Sequence, residues 1–433
     1  MENLQKGSKK LLNAWAFYDW ANSVYTLTIA SSIFPIFYSA LFINQTHKVV
    51  NAFGFEFKST ALITFITAFT FLVVAFTSPI LSGIADYVGN KKNFLKFFCY
   101  VGGLGCIGLY FFSLDHIYIS LLFYFMGLIG YWGSLVFYNS YLPDIAFPEQ
   151  QDSISAKGFS LGYIGSVILL IINLIMVMTA EDGQKMDMMR YSFVMVGIWW
   201  IGFSQYSFYW LPKGTSKGHK VTKEVVLDGF NELKVVWKAL QENILLKKYL
   251  QSFFVFSMAV QTIMLVAVYF GEEEINWRSD DAKTMGLIVS ILIIQLIAIV
   301  GAVLTSKASS KFGNIKTLIA INFIWMSLCF YAYFMETPVQ FYIAASCVGF
   351  VMGGIQSLAR STYSKFLPET KDTTSYFSFF DVAEKIGIVI GMIIYGTIDQ
   401  ITGSMRNSIL FLFIFFLIGI ILLFRVLKQQ KLE

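Results

Sequence analysis

Ser82-Gly83-Ile84-Ala85-Asp86-Tyr87-Val88-Gly89-Asn90-Lys91-Lys92 is a short charged turn set between two long apolar runs. A weaker copy stands half a chain later, Ser306-Lys307-Ala308-Ser309-Ser310-Lys311-Phe312-Gly313-Asn314-Ile315-Lys316. Gly89-Asn90 maps onto Gly313-Asn314 with a shift of 224 residues, and Leu142-Pro143-Asp144 onto Leu367-Pro368-Glu369 with a shift of 225. Two separate motifs at nearly one shift mark an internal duplication. Each copy holds half of the apolar runs, which predicts two parallel membrane bundles with a solute path between them.

Composition sets the class. Of 433 residues, 56% are hydrophobic and only 14% charged, against about 25% charged in soluble proteins. Apolar runs of 18 or more residues recur, each long enough to span a bilayer as a helix. Six precede the middle of the chain, at about 13–43, 59–85, 93–114, 117–141, 153–180 and 190–211. Six follow, at about 249–271, 282–307, 314–335, 338–364, 374–399 and 405–427. The expected fold is an all-α integral membrane protein of twelve helices in two pseudo-symmetric six-helix bundles, residues 1–211 and 249–433, joined by a linker over 212–248. The first run is too long for a signal-peptide core and reads as a retained span.

Basic residues fix the orientation. With the N-terminus in the cytoplasm, 24 Lys and Arg fall in inside segments, 7 in outside segments, and Lys385 within a span. That asymmetry predicts a multi-pass protein of the cell (inner) membrane with both termini cytoplasmic, and it accounts for the net charge of +5 without a nucleic-acid partner. Glu272-Glu273-Glu274 then reads as a solvated outer loop. In the linker, Val226, Phe230, Leu233, Trp237 and Leu240 recur at helical spacing, with Lys223, Lys234 and Lys238 free to face water or headgroups. This pattern predicts an amphipathic interfacial helix.

Several chemistries are disfavoured. Cys99, Cys106, Cys329 and Cys347 lie in apolar runs without ligand spacing and read as small hydrophobes. His47, His116 and His219 fall in loops, so no buried histidine relay is expected. No phosphate-binding Gly-rich loop, His-Glu-x-x-His or Gly-x-Ser-x-Gly setting is present. The chain reads as a non-enzyme without cofactor or metal.

In the opening turn, Gly89 permits a tight reversal. Lys91 and Lys92 hold it on the cytoplasmic side. Asp86 ends a helix, where a carboxylate can face the positive N-terminus of a neighbour. The turn resembles the loop between spans 2 and 3 of major facilitator superfamily transporters, Gly-x-Leu-Ala-Asp-Arg-x-Gly-Arg-Lys. Ile84, Ala85, Asp86, Gly89 and Lys91 match, Tyr87 and Asn90 replace basic residues, and Gly83 stands one place late behind Ser82. Asp86 is expected to close the inner side against the start of span 11, near Thr373 and Thr374. A plain basic hairpin is the alternative.

Candidate solute and coupling residues lie on four spans. In span 1, Trp15, Asp19, Asn22 and Thr26 share a narrow stripe at about 100° per residue, flanked by Tyr18 and Tyr25. A carboxylate there costs roughly 2.5–3.5 kcal/mol unless it faces protein or water. Asp19 therefore reads either as a wall of the solute path, holding a proton or a cationic group, or as a bridge to neighbouring helices. Trp15 and Trp20 read as an interfacial belt. Span 4 ends in Tyr138 and Asn139, and span 10 carries Arg360 and the repeat-related Tyr363. Arg360 suits an anionic group or a neighbouring carboxylate. In span 11, Asp381, Glu384 and Lys385 occupy one turn. They read as a gate or ion-coupling group, or as a self-neutralising cluster.

A narrower resemblance follows from Tyr18-Asp19-Trp20-Ala21-Asn22-Ser23, from Tyr138-Asn139-Ser140-Tyr141-Leu142-Pro143-Asp144-Ile145-Ala146, and from Gly158-Phe159-Ser160-Leu161-Gly162-Tyr163-Ile164-Gly165. Together they are similar to the vacuole-effluxer-like (autophagy-related) family of major facilitators, bacterial branch, over nearly the whole chain. The resemblance implies twelve helices and alternating-access transport of a small polar solute, with amino acids as the class that fungal relatives suggest. It is expected to work as a monomer in the lipid bilayer, with a proton or sodium as partner ion. A sugar–cation symporter of a neighbouring family and a lipid scramblase or structural membrane protein remain open as alternatives.

Overall fold

The computed structural model describes residues 4–42, 49–214 and 225–432. His47, Lys48, His219 and Lys223 lie outside the described residues, as do the side chains of Val226 and Phe230. The elements in chain order are α1 (Lys9–Asn22), a π-helical turn (Tyr25–Ala30), α2 (Ile33–Ala40), β1 (Val49–Ala52), β2 (Phe55–Lys58), α3 (Ser59–Val88), α4 (Lys91–Gly108), α5 (Ile117–Asn139), α6 (Leu142–Ile145), α7 (Pro148–Met178) and α8 (Lys185–Trp210). After them come α9 (Val225–Glu242), α10 (Ile244–Glu273), α11 (Asp280–Phe312), α12 (Asn314–Tyr333), α13 (Pro338–Phe366), α14 (Thr373–Thr402) and α15 (Met405–Gln430).

Ten segments among the described residues are long and apolar enough to cross a membrane, with Lys9–Ala40 counted as one. Two more, α8 and α14, have 26 and 30 residues and membrane-spanning length. Each of these two carries three charged residues within two turns, Lys185, Asp187 and Arg190 in one and Asp381, Glu384 and Lys385 in the other. Among the described residues, six segments of membrane-spanning length precede α9 and six follow it, ten of them apolar enough to cross a membrane. Packing gathers residues 1–141 and 161–230 into one compact unit, and 142–160 and 231–433 into a second.

Three features depart from the sequence reading. The first span is interrupted: α1 gives way to the π-helical turn, and the chain breaks at Ser31–Ser32 before α2. Widened turns of this kind recur at functional sites. The second is a hairpin, β1 against β2, with Val49 opposite Lys58 and Ala52 opposite Phe55. Phe53 and Gly54 both have positive φ, 53° and 79°, which suits a two-residue turn between right-twisted strands. The third is the face that α9 buries. Leu233, Val236 and Leu240 are buried, whereas Trp237 is half-exposed beside Phe379. The inner stripe thus runs one residue away from the one centred on Trp237. Gly229 starts it, and a Cβ built on Gly83 would lie 2.3 Å from the Gly229 carbonyl oxygen. Contact at that range is open only to glycine, so a stripe judged by side-chain size misses it.

In the first unit the core is aromatic. Trp15, Tyr18, Tyr25, Tyr138, Tyr141 and Trp200 are fully buried. The second half of α7 lies flush on α1. A Cβ on Gly162 would sit 2.4 Å from Ser23 Oγ and 3.2 Å from the Asp19 carbonyl oxygen, and one on Gly165 would sit 2.8 Å from the Trp20 carbonyl oxygen. The glycine-rich motif of α7 therefore fits the backbone of the Tyr18–Ser23 motif. Overfilling such a contact costs about 1–3 kcal/mol. Gly162→Ala should lower the unfolding midpoint of the purified protein, while Gly202→Ala, with open space at its Cβ, should not.

Candidate functional site

Asp19 sits one turn before the end of α1 and is only 5% exposed. The Tyr138 hydroxyl, at the C-terminal end of α5, donates to Asp19 Oδ2 at 2.8 Å. Trp15 fixes that tyrosine: the rings stack at 4.6 Å, and Trp15 Nε1 donates to the Tyr138 carbonyl oxygen at 2.8 Å. Tyr18 closes the other side, 5.0 Å from the Tyr138 ring. Trp15 is thus a fully buried clamp and not part of an interfacial belt. Trp20 stacks on Trp199 at 5.4 Å.

Asn22 is fully buried. Its Oδ1 accepts from Ser23 Oγ at 3.3 Å, and its Nδ2 has no hydrogen-bond partner among the described residues. Tyr25 opens the π-helical turn, stacked on Tyr131 at 5.1 Å, and its hydroxyl is likewise unpartnered there. Asn139 is half-buried in the last turn of α5. The structure therefore brings Tyr18, Asp19 and Tyr138 together, with Asn22 a turn further on. Tyr25 lies deeper, in the aromatic core.

The turn after α3 is built as a junction. Gly89 takes the left-handed conformation at φ 71°, and its N–H donates to the Ala85 carbonyl oxygen at 2.8 Å. Asp86 is buried in the last turn of α3. Lys91 and Lys92 are buried as well, and each caps a helix end. Lys91 Nζ donates to the Ser140 carbonyl oxygen at 2.9 Å, just past α5, and lies 4.6 Å from the Tyr141 ring. Lys92 Nζ donates to the Leu211 carbonyl oxygen at 2.7 Å, just past α8. Cations satisfy the orphan carbonyls and the negative dipole of a helix C-terminus. The Tyr141 hydroxyl adds a bond to the Pro212 carbonyl oxygen at 2.7 Å. The two lysines thus tie this turn to the ends of α5 and α8.

The second unit holds two charged clusters. In α14, Lys385 Nζ binds Asp381 Oδ1 and lies 3.5 Å from Glu384 Oε2. Gln261 of α10 donates to Glu384 Oε1 at 2.8 Å. Tyr363 of α13 is fully buried, and its hydroxyl donates to the Tyr376 carbonyl oxygen at 2.6 Å. The other cluster centres on Asp152, near the start of α7. It accepts from Lys365 Nζ at 2.6 Å, from Ser309 Oγ at 3.0 Å and from Asn314 Nδ2 at 2.9 Å. Beside it, Arg360 donates to Ser155 Oγ and to the Ser155 carbonyl oxygen, and lies 4.3 Å from the Phe159 ring. At the opposite end of α10, Glu274 takes Arg406 Nε at 2.7 Å, so the acidic run is partly structural.

This geometry can be set against known proteins. The model of the family described as vacuole effluxer Atg22 like matches residues 7–433. The chain belongs to that family. It is 30% identical to an uncharacterized MFS-type transporter, YxiO, of Bacillus subtilis over 429 residues, covering 97% of this chain and 95% of that one. It is 25% identical to autophagy-related protein 22 of Eremothecium gossypii over 476 residues, covering 96% and 90%. In fold it matches FucP in the outward conformation, with TM-score 0.70, 14% identity and coverage of 96% and 99%. It also matches the proton:xylose symporter XylE, with TM-score 0.69, 14% identity and coverage of 96% and 95%. The fold is that of the major facilitators, and the chain is a transporter of that type.

Asp152, Ser155 and Lys365 escaped the sequence reading. Asn314 carried a signal, because it stands in the repeat of the opening turn. Asp152 carried none that separates it from a surface residue at a helix start. Removing one partner of a hydrogen-bonded charge pair costs roughly 1.5–3 kcal/mol. A cycle of Asp152→Asn, Lys365→Met and the double variant should therefore show a coupling of about 0.5–3 kcal/mol in unfolding free energy. Additive effects would mean that the two residues act separately.

Proposed function

We propose that this transporter moves a small polar solute, with amino acids the favoured class, by alternating access between the halves 1–211 and 249–433. It works as a monomer in the cell membrane, with both termini in the cytoplasm, as the 24-to-7 bias of basic residues supports. The observation that carries the proposal is Asp19. It is a buried carboxylate within a membrane-spanning segment, it accepts from the Tyr138 hydroxyl, and the Asn22 amide a turn later has an N–H group without a partner among the described residues. Ionisable groups at such depth mark solute or ion paths. A carboxylate accepts an ammonium group, and a neighbouring amide can take or give a further hydrogen bond.

Asp19→Asn keeps size and hydrogen bonding but removes the charge. The Tyr138 hydroxyl can still donate to the amide oxygen, so the protein should fold. Solute accumulation in proteoliposomes should fall at least tenfold, which corresponds to about 1.4 kcal/mol. If Asp19 serves only proton coupling, exchange of solute across the membrane survives while accumulation is lost. If it binds the ammonium group, both fall. Wild-type accumulation with unchanged pH dependence would return Asp19 to helix packing.

A further inference from the structure

Resting on the transport reading above, we infer that the α14 cluster of Asp381, Glu384 and Lys385 binds one exchangeable proton, and that this proton is the ion coupled to solute movement. Two carboxyl groups and one ammonium share a single helical turn, with side-chain exposures of 6%, 19% and 1% for Asp381, Glu384 and Lys385. Lys385 neutralises one carboxylate and leaves one negative charge in surplus. Two carboxylates at one buried site do not both ionise readily, because burial and mutual repulsion act in the same direction.

The geometry shows where the compensating charge goes. Asp381 Oδ1 is taken by Lys385, and Asp381 Oδ2 is buried with no hydrogen-bond partner among the described residues. A buried carboxylate oxygen without a donor is costly, and a bound proton removes that cost. Among the described residues, Lys385 is the cation paired with these two carboxylates. The charged groups acting on Asp381 are Lys385 and Glu384 of its own helix. From α10 comes the neutral Gln261 amide. From α13 comes Tyr363, whose hydroxyl is committed to the Tyr376 carbonyl oxygen. The cations of α15, Arg406, Arg425 and Lys428, stand at its two ends.

A proton needs only one lone pair. Binding forms one O–H bond, and release breaks it, while Lys385 stays an ammonium throughout. Glu384 is the more exposed carboxyl, so the proton enters and leaves there. Gln261 holds Glu384 within reach of Lys385 and so keeps the three groups electrostatically joined.

Infrared difference spectroscopy of the purified protein counts protonated carboxyl groups through their C=O stretch and does not depend on transport. At neutral pH the wild type should show a protonated carboxyl that is lost in Glu384→Gln and in Asp381→Asn, because each substitution brings the cluster to neutrality. Lys385→Met should gain a second one. Glu384→Gln keeps the Asp381–Lys385 pair intact, so its spectrum remains interpretable if the other variants fold poorly. Identical carboxyl bands in wild type and Glu384→Gln would overturn the proposal. Proton-driven accumulation that persists undiminished in Glu384→Gln would overturn the coupling role even with the band present. Solute exchange by the wild type, measured on the same preparation, reports separately on the transport reading.

Discussion

A carboxylate inside an apolar bundle must be answered by a donor or a cation, and the Tyr138 hydroxyl on Asp19 is the contact that arranges the first unit. That phenol is aimed by Trp15, which stacks on its ring and bonds to its carbonyl oxygen. Trp15 in turn needs α1 pressed against the end of α5. The glycines of α7 allow α1 to be covered on its other side, where Gly162 approaches Ser23 and the Asp19 carbonyl. One polar contact and one steric allowance thus account for three separate stretches of sequence. The same constraint shapes the second unit. There Asp152 takes three donors, and Asp381 takes a lysine of its own helix.

The turn over residues 82–92 is a packed junction as well as a charged loop. Its lysines read in sequence as a sign of sidedness, yet both are buried and spend their charge on helix C-termini. Its glycine stands one place late relative to the family pattern. The reason is local: Gly83 meets the Gly229 backbone of the linker helix. A second linker contact lies at Gly214, where a Cβ would come within 2.8 Å of the Gly89 carbonyl oxygen. The linker is therefore seated against both ends of this turn.

Much of the architecture was legible because hydrophobic length and charge bias are one-dimensional properties. The long apolar segments, the internal repeat and the pairing of Asp381 with Lys385 could all be read from spacing. What was not legible depends on neighbours remote in sequence. The π-helical turn at Tyr25–Ala30 interrupts a run that is uniformly apolar in composition. Trp15 looks like an interfacial residue until Tyr138 is placed beside it, 123 positions away. Asp152 gains its meaning only from Lys365, Ser309 and Asn314, which arrive from three later helices. In α9, a glycine rather than a large side chain decides which face is buried.

Family membership and fold make the chain a transporter of the major facilitator type. The central claim is that it moves a small polar solute, with amino acids the favoured class. Counterflow in proteoliposomes tests it most directly. Vesicles loaded with an unlabelled amino-acid mixture should draw in labelled amino acid transiently, at a rate that depends on the reconstituted protein and saturates with concentration. Labelled amino acid entering no faster than in protein-free vesicles, while lipid or sugar moves instead, would contradict the account.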